Sequence, residues 1–247
     1  LPPGIRRRQT PSQISRSVLT APDLLIRLPT THADLVQAPP LRHWVIGDVH
    51  GCHASLLALL AVLPFQDHLV FCGDVVSRCG RIEASMHLVW ELVSCGRATW
   101  LRGNHEQALI DALSEGGEGS QPALTQQWRH RLNQLPLLHR ADGWCATHAG
   151  FNSAGEPDLS IREPFWKNYN GCHGRVVIGH TPRHAVERHQ HIVLIDTGAV
   201  YGGLLSAYCP ETDAVVQVQG PRSQEPFPRP VDLQRVSAVM SGDQTRC

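Results

Sequence analysis

The chain has 247 residues, 15 histidines and a formal net charge of zero, from 22 Lys and Arg against 22 Asp and Glu. Balanced charge excludes nucleic-acid binding driven by bulk electrostatics, and no apolar run approaches the roughly 18 residues a membrane span needs. The length suits one large α/β domain, and eight cysteines without a C-x-x-C pair point to a reducing, cytoplasmic setting.

Residues 1–40 hold Arg6-Arg7-Arg8, several Ser and Thr, proline pairs at 2–3 and 39–40, and no acid before Asp23. That composition fits an organelle-targeting remnant, but the prolines favour an extended or disordered N-terminal arm. A domain over 41–220 follows. It opens with a strand at 42–46 and a helix at 53–63, where Leu56, Leu59, Leu60 and Leu63 recur at helical spacing before Pro64. A strand at 68–72 leads to a helix at 82–94 with Ile82, Met86, Val89, Trp90 and Val93 on one face. Next come a strand at 98–101, a helix at 104–114, a mobile Gly-rich loop at 115–119 and a helix at 123–134. Strands are expected at 144–147, 175–178, 191–195, 203–209 and 214–219, the last two as a hairpin around Pro210-Glu211-Thr212-Asp213. Residues 221–247, rich in Pro, Arg and Gln, read as a loose tail. Alternating strands and helices imply right-handed crossovers and a layered sheet with helices outside.

The chemistry sits where strands end. Trp44-Val45-Ile46-Gly47-Asp48-Val49-His50, Phe71-Cys72-Gly73-Asp74 and Trp100-Leu101-Arg102-Gly103-Asn104-His105 each run from apolar residues through a glycine to ligand-type side chains. Ligands collect at the carboxyl ends of strands in open α/β sheets. Asp48 and His50 would point the same way on an extended segment. Asp74 can bridge two ions through its two oxygens, Asn104 offers a neutral oxygen, and His148 and His180 end later strands. This mixed N/O set without thiolate suits Mn, Fe or Zn, and six ligands with one shared carboxylate describe a two-metal site. His189 and His191 are spaced like ligands, but no acidic or Cys partner completes a site with them, and Cys52 reads as a packed thiol.

Gly-Asp-Val-His-Gly (47–51), Gly-Asp-Val-Val-Ser-Arg (73–78), Arg-Gly-Asn-His-Glu (102–106), His148-Ala149-Gly150 and Gly179-His180-Thr181-Pro182 resemble, in order, the motifs of the metallophosphoesterase (calcineurin-like) superfamily. They look most like its phosphoprotein phosphatase branch, which includes bacterial and phage serine/threonine phosphatases and diadenosine tetraphosphate hydrolases. The resemblance implies a layered β-sandwich flanked by helices, with the metal site at the carboxyl ends of the strands. It implies one metal on Asp48, His50 and Asp74 and another on Asp74, Asn104, His148 and His180, Mn foremost and Fe or Zn as alternatives. It further implies a bridging hydroxide as nucleophile, His105 as general acid, and Arg78, Arg102, Asn104 and Arg162 as phosphate contacts.

Two departures from the family pattern matter. Ser77 stands where protein phosphatases carry an Asp that bonds the catalytic histidine, and Cys79 replaces a glycine. Diadenosine tetraphosphate hydrolases also lack that Asp. Against them, His148 and His180 are only 32 positions apart, leaving little room for a nucleotide-binding cap. A serine/threonine phosphoprotein phosphatase is the first expectation, a dinucleoside polyphosphate hydrolase the second, and a non-catalytic phosphate-binding module the third. The expected substrates are phosphorylated proteins or small phosphoesters, with no nucleic-acid or membrane partner.

Overall fold

The computed structural model describes residues 41–115, 123–163, 165–223 and 227–228. Two five-stranded sheets form the frame. The first runs β12–β11–β1–β2–β3, with β1 (His43–Ile46), β2 (His68–Phe71) and β3 (Ala98–Trp100) parallel. The hairpin β11 (Leu204–Cys209) and β12 (Ala214–Gln219) adds antiparallel to β1. The second runs β4–β5–β8–β10–β9, with β5 (Trp144–Thr147), β8 (Arg175–Ile178) and β10 (Ile192–Leu194) parallel at its centre. The antiparallel edges are β4 (Leu138–Ala141) and β9 (Glu187–Arg188).

Strand alternation builds the layers. Trp44 and Ile46 face outward onto Leu56 and Leu59 of α1 (His53–Val62) and Val89 of α2 (Ile82–Ser94). Val45 and Val70 point the other way and meet Trp144, Ala146, Val177 and Val193 between the sheets. On the far face of the second sheet, Val176, Ile178 and Leu194 pack with Phe151 and Trp166. These clusters exclude water on both faces of each sheet, and a buried aliphatic chain contributes about 1.5–3 kcal/mol. Ligand-type residues at strand ends therefore sit on a rigid floor.

The expected helices appear as α1, α2, α3 (Asn104–Glu115) and α4 (Ala123–Asn133). Six elements were not expected: β4, β6 (Gly150–Phe151), β7 (Pro157–Asp158), the short helix α5 (Phe165–Asn168), β9 and a 3-10 turn at Ala199–Tyr201. The arm at 1–40, residues 116–119 of the Gly-rich loop, and 224–226 and 229–247 of the tail lie outside the described residues. Phe227, within the expected loose tail, stacks on the His184 ring at 4.2 Å. Among the described residues, no helix is long and apolar enough to cross a membrane.

Candidate metal centre and active site

Backbone strain marks the site. Among the described residues, those other than glycine with positive φ are His50 (46°), Asp74 (52°), Ser77 (73°), Arg78 (68°), His180 (63°) and, in the β11–β12 turn, Asp213 (58°). Such conformations cost about 1–3 kcal/mol each and persist only where the surroundings over-determine them. Here the loops brace one another. The Asp74 carbonyl accepts the Val49 and His50 N–H groups at 3.1 and 2.8 Å, and the His50 carbonyl accepts the Cys79 N–H at 3.0 Å. Glu106, fully buried, accepts the N–H of Asp74 (2.7 Å), Val75 (2.8 Å), Val76 (3.2 Å) and Gly103 (2.8 Å). One carboxylate thus fixes the loop that carries Asp74, Ser77 and Arg78.

Two glycines let the loops approach. A Cβ on Gly73 (φ 96°) would lie 2.7 Å from His148 Nδ1, and a Cβ on Gly179 would collide with the Asp48 carboxylate. The Asp48 Oδ1 instead accepts the His180 N–H at 3.0 Å. Asp48 and His50 do not share an extended segment as the sequence suggested. The left-handed turn at His50 brings its Nε2 to 3.8 Å from Asp48 Oδ2 and 3.7 Å from Asp74 Oδ2.

Electron pairs converge at the centre without protons between them. His148 Nδ1–H donates to the Cys72 carbonyl at 2.8 Å, and His180 Nε2–H to the Ser160 carbonyl at 3.2 Å. Their inward nitrogens then carry lone pairs, 3.2 Å from each other and each 2.9 Å from Asn104 Oδ1. Asp74 Oδ1 lies 3.6 Å from His148 Nε2. Acceptors facing acceptors repel unless a cation lies among them, and backbone carbonyls fixing the histidine tautomers is the arrangement of metal-bound imidazole. Two trios of ligand atoms meet within 4.8 Å: His50 with Asp74 and His105, and Asp74 with His148 and His180. Asp74 belongs to both. The donor set fits divalent cations with mixed N/O preference. The Cys72 thiol donates to the Thr147 carbonyl at 3.1 Å, and burial pushes it well up, so it stays protonated beside the cluster.

Charge within the cluster is unfavourable by itself. Burial, then Asp196 and Asp74, push the Asp48 carboxyl well up, and burial, then Glu106, do so for Asp74. Burial, then neighbouring cationic groups, lower His50 to about 3, and burial is also the main cause for His148, lowered to about 3. A bound cation would reverse both tendencies, because it favours carboxylate over acid and neutral imidazole over imidazolium.

His105 stands at the edge, its Nε2 3.9 Å from Asp74 Oδ2, and burial, then Arg78, lower it to about 4. His50 Nδ1–H donates to the Val76 carbonyl at 3.1 Å, with Ser77 Oγ equally near. Ser77 Oγ is also 2.9 Å from His105 Nδ1. The serine hydroxyl therefore donates to Nδ1, which leaves the proton of neutral His105 on the Nε2 that faces the site.

The arginines divide. Arg162 donates to Thr181 Oγ1 at 3.1 Å and to the His180 carbonyl at 3.4 Å, within the fields of Asp196, Asp48 and Asp74. Arg78 is close enough to lower His105 and lies over the Tyr201 ring at 5.5 Å. Arg102 turns toward the helices, donating to Gln107 Oε1 at 3.1 Å and the Asn133 carbonyl at 2.6 Å. Sequence reasoning gave no role to Glu106 or Asp196. Glu106 lies inside the Arg-Gly-Asn-His-Glu motif. Asp196 follows an apolar strand as Asp48 does, is buried, and is raised to about 6 by burial.

Residues 41–211 match the family described as "Calcineurin-like phosphoesterase". The chain is 27% identical over 209 residues to "Serine/threonine-protein phosphatase 1" of Salmonella typhimurium, covering 69% of this chain and 93% of that protein. It is 28% identical over 230 residues to "Bis(5'-nucleosyl)-tetraphosphatase PrpE [asymmetrical]" of Bacillus thuringiensis, covering 71% and 93%. A crystal structure provisionally described as a diadenosine tetraphosphatase superposes with TM-score 0.61 at 25% identity, covering 74% of this chain and 95% of that one.

Proposed function

Because the chain belongs to the calcineurin-like phosphoesterase family of metal-dependent phosphoester hydrolases, we propose that it uses two divalent cations, Mn foremost, to hydrolyse phosphate from phosphoserine or phosphothreonine. The carrying observation is the pair of ligand trios that share Asp74. His50 and Asp74 of the first trio, with Asp48 Oδ2 3.8 Å from His50 Nε2, would hold one cation and leave His105 beside it as the acid; Asp74, Asn104, His148 and His180 would hold the other. Such cations, when bound, polarise phosphoryl oxygens and acidify coordinated water toward a pKa of about 7.

The chain's own groups do the rest. Arg162 and Arg78 present planar guanidinium forks for phosphate oxygens, and Arg102 joins them by exchanging its Gln107 contact. Incoming phosphate favours the imidazolium that burial and Arg78 disfavour at His105, so the substrate itself loads the acid. His105 Nε2 then protonates the leaving oxygen, and Ser77 holds the ring at Nδ1. Glu106 keeps Asp74 and Ser77 in place through its four amide contacts.

A second reading is hydrolysis of dinucleoside polyphosphates. It is favoured by serine rather than aspartate beside His105 and by the relatives that carry that activity in their names. The test is metal-loaded protein offered phosphoserine peptides and diadenosine tetraphosphate in parallel. The phosphatase reading expects the higher kcat/KM on the peptides. The reverse order selects the second reading, and no release from either removes both.

A further inference from the structure

The 31 residues between His148 and His180 are too few for a cap domain, yet they build a pocket. The β6–β7 pair, α5 and the turn after it border an open cavity of about 420 Å³ whose lining includes Phe151, Ile161, Phe165, Asn168, Tyr169 and His173. That volume falls in the range of small-molecule sites, about 300–1,000 Å³. Its walls are rings: Phe151 and His173 have centroids 4.4 Å apart, Phe165 and Tyr169 5.5 Å apart, and Phe151 and Phe165 6.3 Å apart. Gly150 holds this wall in place, since a Cβ there would collide with the Phe165 ring. No Asp, Glu, Lys or Arg lines the cavity, so it does not grip phosphate.

The pocket adjoins the cluster through one loop. Ile161 lines it, while the Ser160 carbonyl accepts from His180 Nε2 at 3.2 Å and Arg162 donates to Thr181 Oγ1 at 3.1 Å. Residues 160–162 thus join the two, with Ile161 in the pocket wall and Arg162 at the edge of the cluster.

We infer that this pocket receives a flat ring carried by the substrate beyond its reacting phosphate, stacked against Phe165 and Tyr169. The inference rests on the phosphoester-hydrolase reading for the placement of the phosphate and names what lies on the leaving side. A nucleobase and a tyrosyl ring share this chemistry. Stacking on protein aromatics strengthens binding by about 5- to 150-fold.

The test compares ligands that differ by the ring. Metal-loaded protein is titrated calorimetrically with adenosine 5′-monophosphate against ribose 5-phosphate, and with phosphotyrosine against phosphoserine. The wild type should bind the ring-bearing member of at least one pair about 5- to 150-fold more tightly, and that pair identifies the ring's source. Ser153→Trp and Asn168→Trp, both exposed positions on the lining, should plug the recess and abolish the preference. Two separate positions guard against one variant failing to fold. The inference is overturned if neither pair shows a ring preference, if the preference survives both plugs, or if the plugs weaken ringless and ring-bearing ligands equally. Failure of the hydrolase reading would look different: the ring preference would stand while inorganic tripolyphosphate and phosphoserine release no phosphate.

Discussion

Replacing Glu106 with Gln probes how the strained ligand loop is held. In the native chain Oε1 accepts from Val75 and Val76, and Oε2 from Asp74 and Gly103. Glutamine keeps one acceptor oxygen and turns an NH₂ toward the other two amides. Two buried N–H donors then lack partners, at about 1–3 kcal/mol each, or about 2–6 kcal/mol together. A second effect opposes this loss: the Glu106 charge pushes the Asp74 carboxyl up, and Gln removes that repulsion. In metal-free protein the relief offsets part of the cost. In metal-loaded protein the cations already neutralise Asp74, so the loss should appear nearly whole. Guanidinium unfolding of both forms measures it, and in thermal scans the loaded form should melt roughly 5–20 °C lower than wild type. A change under about 0.5 kcal/mol in the loaded form, the range of ordinary surface substitutions, would refute Glu106 as the brace of this loop.

Three further outcomes are expected. His105→Asn should keep its metals yet slow alkyl phosphate turnover by about 10²–10⁴-fold, with aryl phosphates hurt less; equal losses on both would assign His105 to structure or binding. Ser77 Oγ lies 2.9 Å from His105 Nδ1, so Ser77→Asp should put a carboxylate beside that nitrogen, favour the imidazolium and move the alkaline limb of the pH–rate profile upward; an unmoved limb with metals retained would contradict the contact. Far from the site, burial and then His43 and His68 lower His139 to about 4 from an unfolded value near 6.5, and its Nε2 has no partner. The neutral form is therefore the stable one: this contribution is whole above about pH 6.5 and is lost as pH falls toward 4. His139→Leu should flatten that acid limb of the unfolding curve, and an unchanged slope would show that His139 does not set it.

The three parallel strands and their ligand ends were legible because each is written locally, as an apolar run, a glycine and a polar residue. Asp196 ends an apolar run as well, but without the glycine that precedes Asp48 and Asp74, so its strand was legible and its place in the site was not. β4 was illegible as a run: Leu138-His139-Arg140-Ala141 is an edge strand without a continuous apolar face. Its turn was legible, since Asp142-Gly143, with Gly143 at φ 74°, is a hairpin signal. The left-handed backbone at Ser77 and Arg78 could not be read from residue type. It depends on amide contacts to Glu106 and on the His50 carbonyl, both distant in sequence. Arg102 shows the converse limit. Its motif position suggested phosphate, while Gln107 and the end of α4, which no motif includes, take its guanidinium.

The central claim is that Asp74 is shared between two cations, and manganese titration of metal-depleted protein tests it most directly. Calorimetry should give two bound Mn²⁺ per wild-type chain, with phosphate release appearing as the second site fills. Asp74→Asn should weaken both sites together, because its carboxylate lies in both ligand trios. A wild-type stoichiometry of one, or an Asp74→Asn chain that still binds two Mn²⁺ with wild-type affinity, would contradict the account.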